Sequence, residues 1–167
     1  PTSFTARLGS FSEVEDGRYA FDFAISSADT EDPTNVEQLI VPSMGLTQWT
    51  HEPNGQQHTL TVTVDATDQR QNLTIGTKAN DAAGLAAATL CTASVPGRNE
   101  MAVYDVDCRS QDGQRFVEVI FTKNIDPKQK LMGLAYIEQN VNEAVDVDAN
   151  RLRLYPDAGR SGSVYVF

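Results

Sequence analysis

The sequence predicts an all-β protein made of two antiparallel β-sandwich units in tandem, of immunoglobulin-like kind. Three observations carry this expectation. Large apolar residues alternate with polar ones in several short stretches, the period that places one face of a strand against a core. A nearly continuous apolar run, Phe116, Val117, Val119, Ile120 and Phe121 with only Glu118 inside it, reads as a strand at the centre of a sheet. Turn signals recur roughly every 8 to 12 residues on both sides of Val95-Pro96-Gly97-Arg98, where proline and glycine interrupt either regular element. The expected units are residues 1–97 and 98–167.

In the first unit, Thr2 to Ser12 offers a short strand anchored by Phe4, Leu8 and Phe11. Tyr19, Phe21, Phe23 and Ile25 then alternate with Arg18, Ala20, Asp22 and Ala24, which makes a strand with one wet face. Ser26 to Asn35 is polar and reads as a loop. A short helix over Pro33 to Gln38 competes with an edge strand from Val36 to Val41, and the strand is preferred, with Pro42 ending it because proline cannot donate to a ladder. Gly45 to His51 is the next strand, around Leu46 and Trp49. Asn54-Gly55 predicts a hairpin into His58 to Val64, where Leu60, Val62 and Val64 share one face. Leu73, Ile75 and Thr77 mark one more strand, and the alanine-rich Asn80 to Thr89 reads as loop.

In the second unit a strand begins at Met101, Val103 and Tyr104, and Asp112-Gly113 turns the chain into the central strand over Arg115 to Thr122. Asn124, Asp126 and Pro127 form a corner, and the chain turns apolar again at Leu131, Met132, Leu134 and Ile137. Arg151 to Pro156 alternates cleanly, and Val164 to Phe167 begins a further strand.

Composition excludes several functions. The 23 acidic and 13 basic side chains leave a formal charge of −10, which argues against nucleic acid or an anionic membrane surface as partner. No apolar run reaches the roughly 18 residues that span a bilayer. No charged-then-apolar leader stands at Pro1, so the chain is expected to be a piece of a longer protein, without membrane contact of its own. Cys91 and Cys108 lie 17 positions apart. A bridge there would close a loop of a size worth about 3 kcal/mol in chain-entropy models, and two unpaired, buried thiols are the alternative.

The residues available for chemistry are few. His51 and His58 flank the expected hairpin and should lie near each other across the ladder, as hydrogen-bonding residues at a strand end rather than metal ligands or catalysts. No nucleophile elbow or phosphate-cradling glycine loop occurs: Gly159-Arg160-Ser161-Gly162 lacks a following helix pattern. Asp105, Asp107, Asp146 and Asp148 suggest calcium, but Asp146-Val147-Asp148-Ala149-Asn150 lacks the central glycine and distant glutamate of an EF-hand, and its spacing puts both carboxylates on one solvated strand face. Trp49 with Tyr19, Tyr104, Tyr136, Tyr155 and Tyr165 would be needed for a sugar-stacking platform, whereas dispersed aromatics usually serve core and rim. Asn72-Leu73-Thr74 matches a glycosylation acceptor, a triplet frequent by chance. The expectation is no catalytic residue, no cofactor and no metal.

The order RFVEVIFTKNIDPKQKLMGLAYI, then VDANRLRLYP, then a Gly-Ser corner before VYVF, resembles the macroglobulin-type sandwich domains near the N-terminus of bacterial alpha-2-macroglobulins, in particular the Bacteroidetes form. Trp49-Thr50-His51, HTLTVTV from His58, Arg70 and VPGRNEMAVYDV extend the likeness upstream. The resemblance implies two macroglobulin-like domains, the second C-terminally truncated, in a protein that entraps or inhibits proteases at the bacterial cell envelope. It implies a periplasmic or surface location, with lipid anchoring of the parent as one route. The fragment would be a non-catalytic scaffold whose partners are the other domains of its own chain and, through the parent, proteases. The family's thioester motif is absent: Glu138-Gln139 match its second half, but Tyr136 stands where the cysteine belongs. Under a bacterial parent the glycosylation triplet has no meaning. Phe23, Trp49, Val62, Phe121 and Leu154 are the expected core and boundary residues. The rival readings are an extracellular glycan- or protein-binding module and, with less in its favour, a hydrolase.

Overall fold

The structure, a computed structural model, describes residues 3–27, 33–51, 57–126 and 141–156. Among the described residues it is almost all β and antiparallel, with one short α-helix and a turn of 3-10 helix at Asp81–Ala83, and it divides into two compact units at Asn99/Glu100. Arg98, expected to open the second unit, instead donates its N–H to the Thr67 carbonyl and completes the first.

The first unit holds two sheets. One has the order β1 (Phe4–Glu15), β2 (Arg18–Ser27), β5 (Gln57–Asp65), β4 (Leu46–His51), and the other β3 (Ile40–Pro42), β6 (Gln71–Thr77), β7 (Ala88–Val95). Period-2 patterning builds the interior. Tyr19, Phe21, Phe23 and Ile25 of β2 and Leu60, Val62 and Val64 of β5 are buried, together with Leu73 and Ile75 of β6 and Ala93 and Val95 of β7. The opposite face of β2 is half-covered rather than wet. There the Asp22 carboxylate accepts hydrogen bonds from the Ser10 and Thr61 hydroxyls.

On β1 the anchors Phe4, Leu8 and Phe11 do not fit strict alternation, and the register explains why they share a side. A bulge between Leu8 and Ser10 resets the phase, so Leu8 lies opposite Phe23 and Phe11 opposite Phe21. The rings of Phe11 and Phe21 then lie 4.9 Å apart.

The edge strand expected over Val36 to Val41 is a helix for most of its length: α1 spans Pro33–Leu39, and only Ile40–Pro42 pairs as a strand. Val36, Leu39 and Ile40, at helical spacing i, i+3 and i+4, are all buried, while Glu37 and Gln38 are exposed. Proline at the first helical position is compatible with this, because the N–H it lacks has no intrahelical partner there. A second departure is β7. Its first two residues belong to the Asn80 to Thr89 stretch expected as loop, yet the strand pairs with β6 from Thr77↔Ala88 to Gln71↔Val95.

Among the described residues the second unit is one four-stranded sheet, β10 (Val141–Asp148), β11 (Arg151–Pro156), β9 (Gln114–Phe121), β8 (Val103–Gln111). The apolar run thus forms an interior strand, as its composition predicts. Val119, Leu152 and Leu154 form the buried cluster, with Val103, Val117 and Phe121 packed against it. Phe121 is only half-buried. Asp112 and Gly113 both take positive φ, 53° and 77°, in the two-residue hairpin turn that links β8 to β9. Thr122 ties the start of the unit to this sheet: its hydroxyl donates to the Glu100 carbonyl and accepts the Ala102 N–H. The segment around Leu131 to Ile137, Glu138-Gln139 and the strand from Val164 lie outside the described residues.

Candidate functional site

The cluster richest in titratable chemistry lies at the turn end of the β4–β5 hairpin. Register places His51 directly opposite His58, and the alternation that buries Leu60 and Val62 turns His58 inward with them. His58 is 2% exposed. The two imidazoles meet Nδ1 to Nδ1 at 2.6 Å, and His51 Nε2 lies 2.8 Å from Glu37 Oε1 on α1. The Trp49 ring stacks on His51 at 5.9 Å, with its plane 12° from the imidazole. His58 Nε2 is buried without a hydrogen-bond partner. Burial pushes the His58 pKa below its ordinary 6.5, the neighbouring His51 pushes the same way, and Glu37 opposes both.

Proton placement follows from these contacts. Donation to the Glu37 carboxylate requires a proton on His51 Nε2; in neutral His51 the Nδ1 is then bare and accepts the proton on His58 Nδ1. His58 Nε2 is left as a buried lone pair, a smaller penalty than a buried N–H without an acceptor. The geometry suits hydrogen bonding and not a shared ion. Two nitrogens on one tetrahedral zinc, with bonds of about 2.0 to 2.1 Å, would stand about 3.3 Å apart. Among the described residues no three His, Cys, Asp or Glu groups are arranged to hold a metal.

The second cluster is around Glu118, the one charge inside the apolar run Phe116 to Phe121. It is 3% exposed. Arg109 Nη1 donates to one carboxylate oxygen at 3.3 Å and Arg153 Nε to the other at 3.1 Å, with Arg151 at 3.9 Å. Arg153 also lies 4.4 Å over the Phe116 ring, which packs against Tyr155. Asp107 stands opposite Glu118 and Asp105 opposite Ile120 in the register, so these two carboxylates and Glu118 match the three arginines in charge.

The remaining candidates disperse. Asp146 pairs with Leu152 and Asp148 with Arg151, with a bulge between the two pairs. Asp148 Oδ1 accepts the Ala149 N–H. Asp105 and Asp107 are exposed on β8. Cys91 and Cys108, considered for a bridge, are both free thiols, Cys91 half-buried in the first unit and Cys108 exposed in the second. The spacing argument took one closed loop, whereas a unit boundary falls between them; burial raises the Cys91 pKa.

No protein-family model, curated protein or solved structure matches the chain. Tyr19 is in the core, Trp49 is taken up by His51, and Tyr155 packs on Phe116, so these aromatics form no common stacking surface; Tyr136 and Tyr165 lie outside the described residues. A cleft of about 600 Å³ opens beside β4, lined by residues including Arg18, Met44, Leu46, Asp65 and Gln71. Leu46 there is 80% exposed. The His58 contacts to His51 and the helix carrying Glu37 had no sequence signal beyond the hairpin register and the i, i+3, i+4 spacing of Val36, Leu39 and Ile40.

Proposed function

We propose that the chain is a non-catalytic scaffold segment of an alpha-2-macroglobulin-like protease inhibitor that works outside the cytoplasm. The observation that carries this reading is the use made of the polar side chains best placed for chemistry: His51, His58 and Glu118 are engaged in contacts internal to the fold. The strand order and corners that resemble macroglobulin domains supply the family, and two successive β units fit a protein assembled from such domains. The chain's contribution is then mechanical, holding neighbouring domains in register.

The test uses the parent protein. An inhibitor that entraps proteases should block digestion of a large protein substrate while leaving cleavage of a small peptide substrate intact, and removal of residues 1–167 should abolish that difference. A parent that affects neither substrate overturns the reading, as does peptide or ester hydrolysis by this chain that His58→Ala abolishes. One observation favours the rival: exposed Leu46 beside the cleft suits a module that docks a protein or glycan, which glycan-array and pull-down signals lost in Leu46→Asp would reveal.

A further inference from the structure

We propose that Glu37, His51 and His58 form an acid-released latch, which holds α1 against the end of the β4–β5 hairpin near neutral pH and frees both when the pair takes up protons. The inference does not depend on the inhibitor reading. It rests on where the three residues sit. α1 carries the chain from the sheet containing β2 to the sheet containing β3, and Glu37 is its contact with β4. Val36 and Leu39 are buried beside it, so release of this contact loosens apolar packing as well as an ion pair.

The proton count makes the latch one-way. The space between Nδ1 atoms 2.6 Å apart holds one proton. In the neutral pair that proton belongs to His58, the His51 Nε2–H donates to Glu37, and His58 Nε2 stays a buried lone pair. Adding one proton to His51 obliges His58 to move its own to Nε2, which is buried without an acceptor. Adding it to His58 places the charge in the core. Adding a second sets two N–H groups face to face, which the closed geometry cannot hold. The only described groups whose charge bears on His58 are His51 of β4 and Glu37 of α1. The facing position on β2 is Ile25, which is apolar.

The sign follows from linkage. The closed form binds protons less readily than the open or unfolded form, in which histidine has its ordinary value of 6.5. The stabilisation is therefore complete above that value and is lost as the pH falls from it towards the lowered value of the closed form. Carboxylates with ordinary values, about 4, remain ionised through most of that window.

The experiment is hydrogen exchange on the intact chain at about pH 7.4 and about pH 5.4, corrected for intrinsic exchange. Protection over residues 33–51 should fall on acidification, by up to about tenfold, while residues 71–77 change little. Equal protection at both pH values overturns the latch, and so does a loss spread evenly across the first unit. His58→Leu, matching the neighbouring Leu60, should keep α1 protected at both pH values; a variant as acid-sensitive as the parent sequence refutes the proposal. Should that variant fail to fold, nitrogen NMR of the unaltered protein decides: His58 must gain its proton in step with loss of α1 protection, and a His58 that titrates while α1 stays protected rules the latch out.

Discussion

Phe21 is fully buried between Phe11 and Phe23, with ring centroids 4.9 and 6.5 Å away. Its neighbours belong to two strands paired along their length, so a cavity there cannot collapse readily. Phe21→Ala should cost about 3 to 5 kcal/mol in urea unfolding. Phe121 gives the contrast. The sequence marks it as core because it ends the apolar run, but it is half-buried at the rim of the Val119, Leu152 and Leu154 cluster. Phe121→Ala should therefore cost about half as much, and equal losses in the two variants would contradict this ranking. Trp49 departs from its expected place in the same way, half-buried and stacked on His51. Hydrophobicity names the candidates for a core, while exposure depends on what crosses above them, which a single strand does not encode.

Elements were legible where one face of one strand carried the information. Tyr19 to Ile25, His58 to Val64 and Arg151 to Pro156 alternate strictly, and each is a strand. The misses have physical causes. α1 shows its apolar face for two turns only, and Pro42 reads equally as the end of a strand. β7 buries Ala93 and Val95, residues too small or too few to mark a face among Thr, Ser and Cys. The histidine pair is legible as a neighbourhood from the hairpin, but its third member, Glu37, comes from α1, where the sequence favours an edge strand over the competing helix. Glycine at the entrance to β4 yields a sharp expectation. Gly45 has φ +88°, and a Cβ there would stand 2.7 Å from the Thr63 carbonyl oxygen and 2.8 Å from Val62 Cγ1. Both the backbone conformation and the space exclude a side chain. Gly45→Ala should destabilise by about 2 to 3 kcal/mol, and exchange protection should drop first in β4; unchanged denaturant unfolding would show that the close approach is not real.

At the scale of the molecule the question is whether the two units are independent. The first has two sheets facing a shared interior, with Phe11, Tyr19, Phe23, Leu73 and Ile75 all buried. Its length lies within the range in which single domains bury enough surface to fold alone. Bonds near the boundary fall on separate sides: the Arg98 N–H goes back to Thr67, while Thr122 holds Glu100 and Ala102. A chain cut after Asn99 should therefore keep its core, and residues 1–99 expressed alone should melt in one cooperative step. Circular dichroism gives the melt, and exchange protection in β2 and β5 should match that in the intact chain. These strands are the sensitive reporters because β2 and β5 are paired on both sides and pack inward along their whole length. If the fragment is unfolded, or if β2 and β5 exchange freely while the intact chain protects them, the first unit draws its stability from residues beyond Asn99, and the division into self-sufficient modules on which the scaffold proposal depends is lost with it.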